Sequence, residues 1–163
     1  MLETEIKLNQ FMIGYCRMLV GDLPDERLAE QPLPGVNHPA WILGHLAFSG
    51  DLAVARLGGQ KTLPAEWTTL FGMGTKISST RGEYPSKAAL VEAVEERFAK
   101  ARELAQHATA EQLAAPTVST NPMLRAGLPT AREGVAFLLT CHLAVHLGQL
   151  SAWRRMVGLA PLF

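Results

Sequence analysis

Four stretches of this sequence repeat apolar residues every three or four positions, and none shows the sustained alternation of a β-strand. They cover roughly residues 4–20, 37–57, 86–106 and 130–158. A chain built from four long helices is predicted to be all-α, and the number and length of the helices favour a four-helix bundle. Because 163 residues is the usual size of one domain, we expect a single domain over residues 1–163.

Capping residues mark where three of these helices begin. Asn37 is the predicted N-cap of the second helix, and Ser86 opens the third. Thr130 followed by Glu133 fits a capping box, in which each side chain bonds the other's backbone N–H, and this predicts the start of the fourth helix. We expect that helix to continue without interruption to about Gly158.

The connection between the second and third helices, residues 58–84, is unusually long. A connection of that length usually crosses the fold or serves a functional site. A long crossover would make the second and third helices parallel neighbours. Trp67 and Phe71 within it are large and apolar, so we expect the segment to pack against the helices.

The charge and cysteine content exclude several classes of function. Lysine plus arginine equals aspartate plus glutamate at 15 each, so no basic surface is expected to attract nucleic acid. Cys16 and Cys141 are isolated, which is typical of a reducing compartment. No stretch approaches about 18 uninterrupted apolar residues, and no signal peptide is evident. We therefore expect a cytoplasmic protein without a membrane partner.

Two histidines near the end of the chain stand one helical turn apart in an apolar segment, CHLAVHLGQLSAWRR. His142 and His146 share one face of the predicted helix, and imidazoles at this spacing can converge on a metal ion. They can equally be hydrogen-bonded residues of a polar patch. No glutamate lies between them, so the zinc-protease pattern is absent.

A third histidine, His45, lies in the middle of the second helix and is expected to point inward. An uncompensated polar group in a helical core costs on the order of 1–3 kcal/mol. A divalent metal would satisfy His45, His142 and His146 at once and leave coordination positions free, as catalytic sites do. Three imidazoles suit zinc, nickel, copper or iron.

Four further residues are candidates for the pocket around this site. Gln149 could hydrogen-bond a ligand or water. His38 lies two turns before His45, too far to share one ion, and is expected in the first turn or at the pocket mouth. Trp41 and Trp153 are expected in the pocket wall or the core.

The remaining reactive side chains are not expected to take part. Asp51 points away from the His45 face, and Glu133 precedes His142 by more than two turns, so no general base is evident. Arg154 and Arg155 could bind a carboxylate, but positive charge is favoured in the last turn of a helix, and we expect them at the surface.

Four segments, NHPAWILGHLAF, WTTLFGMGT, YPSKAALVEAV and HLAVHLGQLSAWRRMVGL, together resemble the DinB-like superfamily, also called DinB/YfiT. The most specific part is the histidine of the second helix combined with the late His-x-x-x-His-x-Gly-Gln-Leu. The resemblance implies a four-helix bundle with a long crossover between helices two and three. It also implies a nickel or zinc site at His45, His142 and His146, and a homodimer.

Some members of that family are thiol-dependent transferases, so the resemblance implies a metal-dependent enzyme. The expected activity is S-transfer from a low-molecular-weight thiol to a small electrophile, or isomerisation of that molecule. Hydrolysis by a metal-bound water ranks second. The alternative from another class is a non-catalytic, metal-binding dimeric bundle with a stress-response or binding role.

Overall fold

A computed structural model describes residues 1–119 and 121–162, and these residues are organised almost entirely by helices. The α-helices are α1 (Glu3–Gly21), α2 (Pro39–Arg56), α3 (Trp67–Phe71), α4 (Lys87–His107), α5 (Ala110–Ala114), α6 (Pro122–Gly127), α7 (Ala131–Leu139) and α8 (Cys141–Met156). Single 3₁₀ turns lie at Asp25–Arg27 and Arg81–Glu83. The described residues contain no β-strand, only one isolated bridge. The predicted all-α class is confirmed.

The helix starts follow the capping pattern with one exception. Ser86 accepts a hydrogen bond from the backbone N–H of Ala89, and Thr130 forms the predicted capping box. The N-cap of α2 is His38, not Asn37 as predicted. The Nδ1 atom of His38 accepts the hydrogen bond from the Trp41 N–H, at 3.2 Å. The Asn37 side chain instead lies beside α8, where its amide Nδ2 donates to Oε1 of Gln149.

The helices α2 and α4 run side by side in the same direction. A Cβ at Gly50 would lie 3.0 Å from the Cβ of Arg97, and one at Gly59, just beyond α2, would lie 2.7 Å from Leu104. Residues further along α2 thus contact residues further along α4, which means that the two helices are parallel. Asp51 forms a buried ion pair with Arg97 at 3.6 Å. The close approach depends on the glycines, since a side chain at Gly50 would push α4 away.

The long connection between α2 and α4 packs against the helices, as expected. Trp67 and Phe71 of α3 are buried, with their ring centroids 4.9 Å apart. Phe71 lies directly over Gly44 of α2, where a Cβ would overlap its ring. Because Gly44 has no side chain, the Phe71 ring packs directly against the backbone of α2. This contact fixes α3 on α2 and places the Phe71 carbonyl near the middle of α2.

The prediction of one uninterrupted fourth helix is wrong. The backbone of Thr140 leaves the helical region, at φ −126° and ψ −81°, and separates α7 from α8. The Thr140 hydroxyl donates to the Ala136 carbonyl at 2.6 Å. A threonine hydroxyl that bonds the carbonyl four residues earlier competes with the helical ladder and bends helices. The break lies two residues before His142.

The surface location predicted for Arg154 is also wrong. The side chain is 3% exposed and lies between α8 and the end of α1. It donates to the Leu19 carbonyl at 2.9 Å and to both carboxylate oxygens of Asp22. The partner that permits its burial follows α1, more than a hundred residues away in sequence.

The stretch Ala131–Met156, taken as one unit, is the only part of the described residues long and apolar enough to cross a membrane by length and composition. The core helix of a globular protein meets the same criteria. Here α7 and α8 pack against α1 and α2, and Leu139, Leu143, Leu150 and Trp153 are among the most deeply buried side chains.

Candidate metal centre

His45, His142 and His146 form one compact cluster. The ring centroids of His146 lie 4.6 Å from those of both partners, and the other two rings are 5.1 Å apart. One ring nitrogen from each residue lies within 4.8 Å of the others. The His45 and His146 side chains are 8% exposed, and His142 is partly buried. The structure thus brings together the three histidines that the sequence singled out.

The positions of these side chains follow from two helices that pack together. His45 lies in the middle of α2, and the other two lie in the first half of α8, one turn apart. Because side chains four residues apart share a helix face, His142 and His146 both point at α2. Because the helix breaks at Thr140, α8 begins just before these two histidines.

Hydrogen bonds on the far side of two rings fix which nitrogen faces the cluster. The Nδ1 atom of His45 lies 2.6 Å from the Phe71 carbonyl, which can only accept, so Nδ1 carries the proton. The Nδ1 atom of His146 likewise donates to Oε1 of Gln149 at 3.2 Å. Both rings therefore present an unprotonated Nε2 to the cluster, as metal-ligating histidines do.

Asn37 extends the support of His146 by one step. Its amide Nδ2 donates to Oε1 of Gln149 at 2.9 Å, so that oxygen accepts from both Asn37 and His146. This arrangement ties the amide oxygen of Gln149 toward the ring and orients it. Gln149 therefore lies directly beside the cluster.

His142 differs because its Nδ1 is buried without a hydrogen-bond partner among the described residues. Its Nε2 lies 3.2 Å from Nε2 of His45. Two unprotonated nitrogens at that distance repel each other unless a proton or a cation lies between them. Nitrogens bound to one tetrahedral zinc at about 2.05 Å stand about 3.3 Å apart. The donor set and this spacing fit a divalent ion.

Burial and mutual proximity keep all three histidines neutral. Desolvation, followed by the charges of His146 and His45, lowers the pKa of His142 to about 3. Desolvation and the charge of His45 lower the pKa of His146 to about 4. Burial also lowers the pKa of His45, partly offset by its bond to Phe71. Neutral imidazoles are the form that binds metals.

The cluster opens into a cavity of about 380 Å³. Its walls come from α2, α6, α7, α8 and the loop after α3, and they are mostly apolar, with Phe48, Leu52, Leu128 and Phe137 among them. A mostly apolar cleft with a few converging polar groups is the usual form of a small-molecule site.

Trp41 forms the wall beside His45. Its ring stacks on the imidazole with centroids 4.7 Å apart and planes 9° from parallel. The indole N–H donates to the Thr75 hydroxyl at 3.0 Å, which holds the ring in place. Trp41 therefore lines the cavity and restricts rotation of His45.

The other two pocket candidates lie elsewhere. His38 is fully buried, and its Nε2 donates to the Ser78 carbonyl at 2.8 Å while its Nδ1 caps α2. Trp153 is also fully buried and donates to the Glu30 carbonyl at 2.7 Å. Neither lines the cavity, so both have structural positions in the fold.

The other reactive side chains, which were not expected to take part, also lie outside the cavity. Asp51 accepts from the Thr62 N–H and pairs with Arg97, and Glu133 caps α7. Neither lines the cavity, and no other carboxylate of the described part of the chain does so. Cys141 is exposed and is not a member of the cluster.

Sequence reasoning missed Arg56, which lines the cavity together with the histidines. A signal was present: Ser49, Leu52 and Arg56 follow His45 at four, seven and eleven residues, which is one helix face. The opposite wall comes from α6, whose short PMLRAG sequence gave no periodic pattern. Without that wall, the cavity was not visible in the sequence.

The fold and the site define an all-helical protein with a three-histidine cluster compatible with metal binding. A comparison with family profiles matches residues 12–150 to the DinB superfamily, a range that includes all three histidines. The chain belongs to the DinB superfamily, which confirms the resemblance found in its motifs. A comparison with curated proteins gave no match.

Proposed function

We propose that this protein is a divalent-metal-dependent enzyme that holds nickel or zinc at His45, His142 and His146. The proposed reaction is transfer of a low-molecular-weight thiol to a small electrophile, or isomerisation of such a molecule. In the transfer, the thiol sulfur forms a bond to the electrophilic carbon, the bond from that carbon to its leaving group breaks, and the leaving group departs with the electron pair while the thiol proton is released. A homodimer and a cytoplasmic setting remain predictions from the sequence.

One observation carries the proposal: the three-histidine cluster faces an apolar cavity large enough for a small molecule. A structural metal site is usually closed by four protein ligands, whereas a catalytic site keeps a position open. Among the described residues, the cluster contains three candidate ligands and no fourth. That arrangement supports a site that acts on a bound molecule.

The residues of this chain would orient the reaction and exclude water. The Phe71 carbonyl and Gln149 orient two of the three imidazoles. Phe48, Leu52 and Phe137 offer apolar surface to the carbon skeleton of a substrate. When bound, the metal supplies a Lewis acid that lowers the pKa of a coordinated thiol or water. The absence of a carboxylate base at the cavity is compatible with this chemistry.

The long helices also support a finer assignment of the fold. We propose a four-helix bundle of the DinB/YfiT type, with α1, α2, α4 and the α7–α8 pair as its four members. In this assignment, the long connection that contains α3 is the crossover between the parallel helices α2 and α4. The contacts of α1 with α4, α7 and α8, and of α2 with α4, α7 and α8, support it.

The alternative is a non-catalytic, metal-binding dimeric bundle. The lack of a general base among the described cavity residues favours it. The two functions differ in what they predict for a protein loaded with metal: an enzyme accelerates thiol transfer, whereas a binding module does not.

A chromogenic transfer assay tests the proposal. Wild type loaded with zinc or nickel is mixed with 2-mercaptoethanol, cysteine or glutathione and with 1-chloro-2,4-dinitrobenzene, and the thioether product is followed by absorbance. We expect metal-dependent turnover with at least one thiol, and its loss in His146→Ala. Equal rates for wild type and His146→Ala across all three thiols would contradict the transferase proposal and favour the binding module.

A further inference from the structure

Arg56 stands at the far end of the cavity from the histidine cluster. His45 and Arg56 lie on the same face of α2, eleven positions apart. At the standard helical rise, their Cα atoms are roughly 16 Å apart along the axis. The Arg56 guanidinium lies against Gly134 of α7, eight positions before His142, so the two groups stand apart along the wall of one mostly apolar cavity.

The Arg56 guanidinium has no hydrogen bond or ion pair with any other described residue. It is half-buried, and desolvation alone lowers its pKa, with no opposing charge to raise it. The contrast with Arg154 is instructive, since that buried guanidinium bonds Asp22 and the Leu19 carbonyl. A partly desolvated cation without a partner is costly, and natural proteins rarely keep one without a use.

Within residues 1–119 and 121–162, no carboxylate lines the cavity with Arg56. Among the described residues that line the cavity, it is the only side chain with a fixed charge. The cavity therefore has one positive end, which attracts an anion into an otherwise apolar space.

The fold makes specific room for the guanidinium at Gly134 of α7. A Cβ at this position would overlap Nη1 of Arg56 and would lie 3.2 Å from its Cζ. Glycine in a helix interior costs roughly 0.5–1 kcal/mol relative to alanine. Here it permits the arginine to lie flat across α7 at the cavity wall.

We propose that Arg56 binds the anionic group, a carboxylate or a similar oxyanion, of an elongated apolar ligand whose other end lies at the three histidines. The inference deepens the proposed function, because it states the class of substrate that the same cavity accepts. A guanidinium binds a carboxylate through two parallel N–H···O bonds, which fixes the orientation of the ligand.

Binding of an eight-carbon probe to the metal-free protein tests this inference. Octanoate and octanamide have the same chain and similar shape, but only octanoate carries a charge. By titration calorimetry, we expect wild type to bind octanoate about 10-fold more tightly than octanamide, because a charge-assisted hydrogen bond is gained. Equal affinities for the two probes would overturn the proposal.

Three variants locate the preference. Arg56→Met should abolish it, and Gly134→Ala should weaken it by displacing the guanidinium while retaining the charge. Arg155→Met, which removes an exposed arginine of α8, should leave it unchanged. A preference that survives both Arg56→Met and Gly134→Ala would place the anion elsewhere and overturn the proposal. If Arg56→Met does not fold, Arg56→Gln, which removes the charge but keeps a polar side chain, takes its place.

Failure of this inference can be separated from failure of the proposed function, because the titration needs no metal. Octanoate preference in a protein that binds no metal would sink the metalloenzyme and leave the anion site intact. Metal binding without any octanoate preference would do the reverse. The same titration in His146→Ala should retain the preference, since Arg56 does not depend on the cluster.

The anionic group can belong to either the electrophile or the thiol, and zinc-loaded protein distinguishes them. If 6-mercaptohexanoate binds more tightly than 6-mercaptohexanol in wild type but not in Arg56→Met, the thiol carries the anion. If the two thiols bind equally while octanoate preference persists, the electrophile carries it. Both results support the anion site. Whether that site exists is decided by the octanoate preference alone.

Discussion

At the scale of single residues, His142 is the histidine with the most to gain from a ligand. His45 and His146 each donate their Nδ1 proton to an oxygen, but Nδ1 of His142 is buried without a partner among the described residues. A metal on the Nε2 atoms would remove the repulsion between Nε2 of His142 and Nε2 of His45, which lie 3.2 Å apart. Without a metal, His142 is a source of instability.

This difference predicts how the metal-free protein responds to acid. The folded-state pKa of His142 is about 3, below its ordinary value of 6.5, so the unfolded chain binds the proton first as pH falls. As the pH drops below about 6.5, the free energy of unfolding should therefore decrease, and this residue should contribute about 1.4 kcal/mol per pH unit to the decrease. Urea denaturation of metal-free protein at several pH values measures this slope.

The matched variant for that experiment is His142→Leu. It removes both the titrating group and the unpaired nitrogen, so at neutral pH the metal-free variant should be at least as stable as wild type. Its stability should also fall less steeply between pH 6.5 and 5. An equally steep fall in the variant would show that His142 is not the titrating group.

Gln149 predicts a second residue-scale effect. Its Oε1 accepts the Nδ1 proton of His146, and loss of such an outer hydrogen bond typically lowers metal affinity about 10- to 100-fold. Gln149→Ala should therefore bind zinc at least about 10-fold more weakly in competition with a chromogenic chelator. Gln10→Ala, at an exposed position of α1, is the control. Unchanged affinity in Gln149→Ala would mean that the bond does not support the site.

At the scale of helices, the contact of α3 with α2 couples packing to the site. Phe71 lies on Gly44, and its carbonyl holds Nδ1 of His45. Gly44→Ala should displace the ring and the carbonyl together. We expect a loss of about 1–3 kcal/mol in stability, typical of overpacking, accompanied by weaker zinc binding.

The control for this helix contact is Gly14→Ala in α1. A Cβ at Gly14 meets nothing within 4 Å, so the variant should be as stable as wild type or up to about 1 kcal/mol more stable. Urea denaturation compares the two. If Gly44→Ala lost stability but kept full zinc affinity, α3 would be a packing element without a role in orienting His45.

Arg154 predicts the strength of the contact between α8 and α1. Arg154→Met removes the bonds to Asp22 and to the Leu19 carbonyl, and we expect a loss of about 1–3 kcal/mol in the free energy of unfolding. Arg155→Met, at the exposed neighbouring position, should change it by less than about 0.5 kcal/mol. Equal losses in both variants would contradict the structural role of Arg154.

At the scale of the whole molecule, local pattern and spacing predicted the helices and the histidine cluster. His142 and His146 are four residues apart, and His45 stands on an apolar face, so helix geometry alone brings them inward. The break at Thr140 was not predictable in this way, because one hydroxyl bonding one carbonyl decided it. The periodicity of apolar residues contains no information about a single hydrogen bond of this kind.

Features that depend on distant partners were also missed. Arg154 is buried because Asp22 follows α1, and Arg56 faces a cavity because α6 and α7 close over it. The side chain of Asn37 does not cap α2 and instead donates to Gln149, more than a hundred residues later. In each case, the neighbouring sequence was compatible with more than one position of the side chain, and a contact with a distant residue determined which position it takes.

The central claim is that His45, His142 and His146 bind one divalent metal ion, and its stoichiometry is the most direct test. Protein purified without a histidine tag is analysed by elemental mass spectrometry, beside His45→Ala and His146→Ala. We predict close to one nickel or zinc ion per chain in wild type and its loss in both variants. No bound metal in wild type after incubation with zinc or nickel, or full retention in the variants, would contradict the claim.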